Sequence, residues 1–486
     1  MNRFAFVLSL MVPASLVAQE KIPGKPADPF EAAFSSLEET LRDSAKKKPT
    51  HVAWLIDQSS TMTAFRKRLG ERVGKLDIKP VQKNGLTALV AGFAKELDVK
   101  TPRPLTSFPA IGRAITRIES NSTGIENVFQ AASKAAELLW KRGAKSDARF
   151  LVIVTDERGD DFRMSEEVTA RCKRFGIRVF CLGHAAPFGS DQGLVEFRYP
   201  DGFAEEIPVE QGPETASPHL PRIPTLGGVP IEFRGISSGF GPWALSRLCD
   251  ATDGEYLIAM DSTRARFNPG RMATYRPEYP SMREVEVGIK RSRTRTALVQ
   301  SAMLSRQFSW PSLKLTFQAD RSPILRSRIT ETQRPCAVLE HQASEVVKYL
   351  EAAGNDRDKL TSPRWRASYD LAMGRALALR ARVRLLNYDL ARMKVDPPKI
   401  EDPKLNTWEV FGVKDPQNTA ANEKKMIERS KAYFNRVVKE HPGTPFAHVA
   451  KLELARGFGW SRRAIHMEHP PEPPPKKRLL IIPGKL

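Results

Sequence analysis

The stretch His51-Val52-Ala53-Trp54-Leu55-Ile56-Asp57-Gln58-Ser59-Ser60-Thr61 decides how the rest of the chain is read. Val52 to Ile56 are apolar without alternation, the pattern of a strand buried on both faces in the middle of a parallel sheet. The run stops on a carboxylate, and hydroxyls follow at Ser59 and Thr61. Phe150-Leu151-Val152-Ile153-Val154-Thr155-Asp156 repeats the design, a short apolar run ending in Asp. Around these two runs the spacing predicts strands over 86–93, 177–182 and 255–259. Helices are expected over 109–118, 125–140, 166–175 and 243–251. Strand and helix alternate, so the fold class is α/β, a doubly wound, mostly parallel, Rossmann-like sheet with right-handed crossovers.

Asp57, Ser59 and Thr61 sit just past the carboxyl end of a buried strand, where doubly wound folds place their ligands. Oxygen atoms at alternate positions can face one point, and oxygen is the donor that hard divalent cations take. Asp156 ends a second strand of the same kind, and Thr123, before Gly124 in a polar loop, offers another hydroxyl. Thr123 lies 66 residues after Asp57, and Asp156 33 residues after that. With D-x-S-x-T, a distant Thr and a distant Asp in that order, the chain resembles the von Willebrand factor A domain over roughly residues 49–260. Leu245-Ser246-Arg247-Leu248 and Asp253-Gly254-Glu255-Tyr256 look like that family's closing helix and strand. The resemblance implies a metal-ion-dependent adhesion site built from Asp57, Ser59, Thr61, Thr123 and Asp156. It would hold Mg²⁺, or Mn²⁺ or Ca²⁺, with both Asp acting mostly through water. A coordination position would then remain for an exposed Asp or Glu of a protein partner. The alternative is a vestigial site in which Asp57 caps the following helix and the hydroxyls satisfy backbone amides.

Two departures from the family stand out. Residues 184–241 are a long insertion, in which Val195, Phe197 and Tyr199, then Asp201-Gly202, then Phe203, Ile207 and Val209 signal a β-hairpin. Asp156 is followed by Glu157, Asp160 and Asp161, extra charge beside the site.

Outside 49–260 the composition sets the limits. The 486 residues suggest about two to four domains. A net charge of +21, from 77 Lys and Arg against 56 Asp and Glu, favours anionic surroundings such as an envelope glycan. Arg3 precedes an apolar run from Phe4 to Val12, then Pro13 and small residues to Ala18, so residues 1–18 read as a signal peptide. An uncleaved apolar N-terminus or a core strand is the other reading. No later run approaches the roughly 20 apolar residues that cross a bilayer. A secreted or periplasmic protein without a membrane span after cleavage is therefore expected. Nucleic acid is an improbable partner for an exported chain without a nucleic-acid motif. Cys172, Cys181, Cys249 and Cys336 are too sparse for a disulfide framework and read as buried thiols. Zinc is disfavoured, since no C-x-x-C occurs and His466 and His469 border a Pro-rich tail.

The remaining organisation is a leader and N-terminal helix over 19–48, a mixed, weakly strand-like stretch over 261–334, a helical region over 335–460 and a Pro-rich basic tail over 461–486. In the helical region Trp365, Tyr369, Ala372, Ala376, Leu379, Val383, Leu386, Leu390 and Met393 form a heptad-like seam. Arg364, Arg366, Arg375, Arg380, Arg382, Arg384 and Arg392 lie mostly off it, either as a solvated basic face or as a polyanion-binding one. The function expected is an exported binding protein that is not an enzyme. The alternatives are a polyanion- or envelope-binding scaffold and, remotely, a serine hydrolase, because Gly235-Ile236-Ser237-Ser238-Gly239 matches G-x-S-x-G. An apolar strand before Ser237 and a helix starting at it are both missing from the sequence pattern.

Overall fold

The computed structural model describes residues 28–79, 85–199, 201–227, 230–319, 322–416 and 419–468. The expected signal peptide, residues 1–18, and most of the expected basic tail lie outside them. A six-stranded sheet runs in the order β3-β2-β1-β4-β5-β8. Its strands are β1 (Thr50–Asp57), β2 (Leu86–Phe93), β3 (Leu97–Val99), β4 (Ala148–Thr155), β5 (Ile177–His184) and β8 (Tyr256–Met260). All neighbours pair in parallel except β2 with the short edge strand β3.

Period-two alternation divides the central strands between two cores. Val52, Trp54, Ile56, Val152 and Val154 face one side, with α1 (Pro29–Ala45), α2 (Thr63–Gly74) and α3 (Phe108–Thr116). Ala53, Leu55, Leu151, Ile153 and Cys181 face the other, with α4 (Val128–Trp140), α5 (Ser165–Arg174) and α6 (Trp243–Ala251). Helix α1 opens as the sequence suggests, with Asp28 accepting from the Phe30 amide and Pro29 in the first turn. Its apolar residues Phe30, Phe34, Leu37 and Leu41 lie in the sheet core, so this helix completes the layer although it precedes residue 49.

The insertion holds the expected hairpin, β6 (Gly193–Arg198) with β7 (Ala204–Val209). The 261–334 stretch departs from the weakly strand-like reading. It contains α7 (Pro269–Met272), α8 (Met282–Lys290) and α9 (Arg293–Gln307), with one short strand, β9 (Thr316–Gln318). A Ser281–Glu284 capping box starts α8, a local signal that charged neighbours obscured. Helix α10 (Ser322–Glu351) runs across the boundary drawn at 334/335. The helical region also carries β10 (Thr407–Val413) and β11 (Gly459–Ile465), which form a three-stranded sheet with β9.

Helix α11 (Pro363–Val395) is the axis of the C-terminal half, packed among α10, α12 (Ala421–Glu440) and α13 (Pro445–Arg456). The seam residues are buried except Trp365, which is partly so. Leu371, Met373, Leu377 and Leu385, off that seam, are buried too. A helix apolar on nearly every side belongs inside a core rather than on a surface.

The arginines follow it inward. Arg364, Arg375 and Arg382 are each at most 6% exposed. Arg375 Nε and Arg382 Nη1 donate to the two carboxylate oxygens of Glu453 at 3.1 and 2.7 Å. Burial works against the Glu453 charge, but Arg382, Arg375 and Arg456 together outweigh it and hold the carboxyl at about 2. Arg384 reaches Glu340 and Glu423 at 3.3 and 3.2 Å. Three of the seven, Arg364 through Glu214 and Arg375 and Arg382 through Glu453, are therefore internal ion pairs, while Arg366, Arg380 and Arg384 are half-buried and Arg392 is exposed.

Candidate metal centre at the carboxyl ends of β1 and β4

Strand β1 is followed through α2 by β2 on one side, while β4 pairs with it on the other. The crossover direction therefore reverses between β1 and β4, and the loops there open a crevice. Asp57 ends β1 and Asp156 immediately follows β4. Both carboxylates are buried, at 0% and 3% exposure, while Ser59 and Thr61 are half-buried above them.

Asp57 is fixed at both oxygens: Oδ1 accepts from the Ser59 amide at 2.7 Å and Oδ2 from Thr155 Oγ1, also at 2.7 Å. Ser59 Oγ lies 3.1 Å from Thr61 Oγ1 and 3.4 Å from Asp156 Oδ1. Asp156 Oδ2 is buried with no hydrogen-bond partner. The structure thus brings Asp57, Ser59, Thr61 and Asp156 together. Thr123 stands apart on an exposed part of the 119–127 loop, its amide donating to Asn121 Oδ1 at 2.9 Å. Among the described residues no hydrogen bond joins its hydroxyl to the cluster.

Two carboxylates that the motif does not name complete the site's electrostatics. Glu126 and Glu157 hydrogen-bond to each other, and both are raised, to about 7 and about 9, by burial and by neighbouring carboxylates. Asp156 is raised to about 7 by burial and by the Asp57 charge, and burial raises Asp57 as well. The sequence signal for Glu157 is its place directly after Asp156; Glu126, three residues past Thr123, carries none. Asp160 and Asp161 do different work. Asp160 accepts from the Glu126 amide, and Asp161 from the amides of Phe129 and Gln130, capping the start of α4.

The donor set suits a hard divalent cation. All the oxygens come from carboxylates and hydroxyls, and an orphaned buried carboxylate oxygen is otherwise costly. None of the four carboxylates forms an ion pair among the described residues. A second acidic group, Asp370, Glu440 and His441, also has ligand atoms within 4.8 Å of one another. There Arg357 Nη2 already bonds both Asp370 and Glu440, so a guanidinium holds the cation's place.

The insertion borders the crevice. Strand β6 packs against the turn Ser60–Met62, and the Arg158 amide donates to Glu210 O at 3.0 Å. Phe197, Tyr199 and Phe203 cluster on the hairpin, with Phe203 61% exposed. Ser237 of the G-x-S-x-G match is 2% exposed, and its Oγ accepts from the Gly239 amide at 3.2 Å. Helix α6 begins only at Trp243, and no histidine bonds Ser237 among the described residues, so the geometry is not a nucleophile elbow. The four cysteines are buried free thiols.

Residues 51–195 match the von Willebrand factor type A domain family, and with the sheet order above this stretch is an A domain, a class of protein-interaction module. Solved structures with this likeness include the conserved hypothetical protein BatB from Bacteroides thetaiotaomicron, at 14% identity, TM-score 0.28, covering 44% of this chain and 91% of that one. An aerotolerance-related membrane protein from Bacteroides fragilis NCTC 9343 is also 14% identical, at TM-score 0.27, covering 44% of this chain and 92% of that one. Proximal thread matrix protein 1 from the mussel byssus, with a zinc-occupied MIDAS motif, is 16% identical, at TM-score 0.25, covering 29% of this chain and 37% of that one. No curated protein matches the chain. Among the described residues no helix is long and apolar enough to cross a membrane.

Proposed function

We propose that this chain is an exported interaction protein whose A domain binds a partner through a divalent cation, Mg²⁺ or else Mn²⁺ or Ca²⁺. Asp57, Ser59, Thr61 and Asp156 would hold the cation, with Thr123 contributing from the neighbouring loop. The observation that carries this reading is the buried, unpartnered Asp156 Oδ2 beside two hydroxyls and a second buried carboxylate. When bound, the cation supplies a Lewis-acidic point that accepts a partner's Asp or Glu carboxylate. The protein's own residues set the selectivity. Asp57 is held by Ser59 and Thr155, burial keeps the carboxylates poorly solvated, and the half-buried hydroxyls leave the mouth accessible from one side.

Titration calorimetry with Mg²⁺ and Mn²⁺ on wild type and Asp57→Ala tests the metal. Capture of an acidic peptide, with and without chelator, tests the partner chemistry. Saturable binding by wild type and its loss in Asp57→Ala are expected. Equal behaviour of the two proteins would sink the proposal. The polyanion-scaffold alternative is weakened, because three of the seven arginines of α11 that suggested it, Arg364, Arg375 and Arg382, are spent on internal carboxylates.

A further inference from the structure

We infer that Arg66 is a positioning residue of this site, fastening the loop that carries Thr123 to the loop that carries Asp57, Ser59 and Thr61. The inference rests on the metal-site reading above. Arg66 lies on α2 and is 2% exposed. Its Nη1 donates to the carbonyl oxygens of Asp57 at 2.9 Å and Ser59 at 2.7 Å. Its Nη2 donates to Thr63 Oγ1 at 3.1 Å and to Ser120 Oγ at 2.6 Å. One guanidinium therefore spans the first motif, the start of α2 and the loop leading to Thr123.

Gln58 makes a parallel link. The Asn121 amide donates to Gln58 O at 2.8 Å, and Gln58 Nε2 donates to Glu119 O at 3.3 Å. Gly92 allows it: a Cβ there would stand 2.8 Å from the Gln58 side chain.

A buried arginine commonly answers a buried carboxylate, and this one does not. All its hydrogen bonds go to carbonyls and hydroxyls, although its charge still favours the ionised form of Asp57. Its rigid fork reaches acceptors on three segments, which a lysine ammonium on a flexible stem cannot reproduce. Asp57 and Ser59 are thus oriented through their own backbone carbonyls. Thr123, three residues past Ser120, belongs to the loop so fastened, although no bond joins it to the cluster.

The test is Mn²⁺ titration of the full chain, cleared of metal, as wild type, Ser120→Ala, Arg66→Lys, Thr123→Ala and the Ser120→Ala/Thr123→Ala double variant. Ser120 is exposed and Thr63 Oγ1 remains as an acceptor for the same Arg66 nitrogen, so its loss should lower the denaturant midpoint of the metal-free protein only slightly. Partners one shell out from a metal typically tune affinity by about tenfold or more. Ser120→Ala should therefore weaken Mn²⁺ binding about tenfold, and Arg66→Lys further. If both residues act through one loop, the double variant should bind little worse than Thr123→Ala. Wild-type affinity in Ser120→Ala, in Arg66→Lys or in Thr123→Ala overturns the inference alone, as does full additivity in the double variant. Absence of Mn²⁺ binding by wild type overturns the metal-site reading and takes this inference with it. Should Arg66→Lys fail to fold, the Ser120 and Thr123 variants still decide.

Discussion

Asp156→Asn should stabilise the metal-free protein and abolish its response to Mg²⁺. In the folded chain the Asp156 carboxyl is raised from 3.8 to about 7, chiefly by burial and then by the Asp57 charge. At ~1.4 kcal/mol for each pH unit, ionising it inside the fold costs up to ~4 kcal/mol. An acid whose folded pKa exceeds its unfolded one contributes its stability below the unfolded value. That contribution is lost as pH rises through the folded one. Metal-free wild type should therefore weaken from about pH 4 through about 7, and Glu157, raised to about 9, extends the decline. Asparagine removes the charge and can still accept from Ser59, so roughly half of the penalty, ~2 kcal/mol, should be recovered near pH 8. With Mg²⁺ at about a hundred times its Kd, wild type should gain ~2.7 kcal/mol and Asp156→Asn nothing. Denaturant unfolding with chelator and with Mg²⁺, from acid to alkaline pH, measures all of this. A metal-free Asp156→Asn less stable than wild type at alkaline pH, or a wild type indifferent to Mg²⁺, would refute the reasoning.

Other outcomes follow from the same contacts. Because binding the cation displaces protons from Asp156, Glu126 or Glu157, Mg²⁺ affinity measured by calorimetry should rise between about pH 5 and 8, with proton release visible as a buffer-dependent heat. Glu453→Ala leaves Arg375 and Arg382 buried without their carboxylate, so thermal unfolding should show the C-terminal half destabilised by ~3–5 kcal/mol. Leu386→Ala, at a position with 0% exposure on α11, should cost ~2–5 kcal/mol by chemical denaturation. Gly92→Ala pushes a methyl into Gln58 and should lower metal affinity more than it lowers the stability of the chelated protein.

The sheet was legible because burial on both faces leaves an unbroken apolar run, and β1 and β4 each end that run on an Asp. The helices beside them were read within a few residues, and the misses have physical causes. Helix α4 starts at Val128 rather than 125, because its first turn is capped by Asp161, 31 to 32 residues away in sequence. No local pattern announces that. The 261–334 stretch hides its helices because α8 is only nine residues long and none of them is fully buried, its Met282 and Val285 packing only partly against the sheet core. Strands β9, β10 and β11 pair across long sequence separations, and their period is masked by charged residues on the open face. In the site, the motif named the oxygens that meet at Asp156. It could not name Thr155, Glu126 or Arg66, whose roles depend on which strand ends become neighbours.

The arginines of α11 show how far a charge count can mislead about partners. A net charge of +21 and seven arginines on one helix suggest a surface for polyanions. Yet a long helix with apolar residues on nearly every side leaves little solvent face on which to display them, so Arg364, Arg375 and Arg382 go inward with it. Once inside, each needs an acceptor, and Glu453, Glu214, Tyr275 O and Ile223 O supply them from α13, the 261–334 stretch and the insertion. Arg364 and Arg375 therefore tie the insertion to the helical half, while β6 and Glu210 tie the same insertion to the rim of the metal centre. The segment that interrupts the A domain is thus the physical connection between its crevice and the C-terminal half. A partner seated at Asp57 and Asp156 would meet the aromatic hairpin that this connection holds beside them.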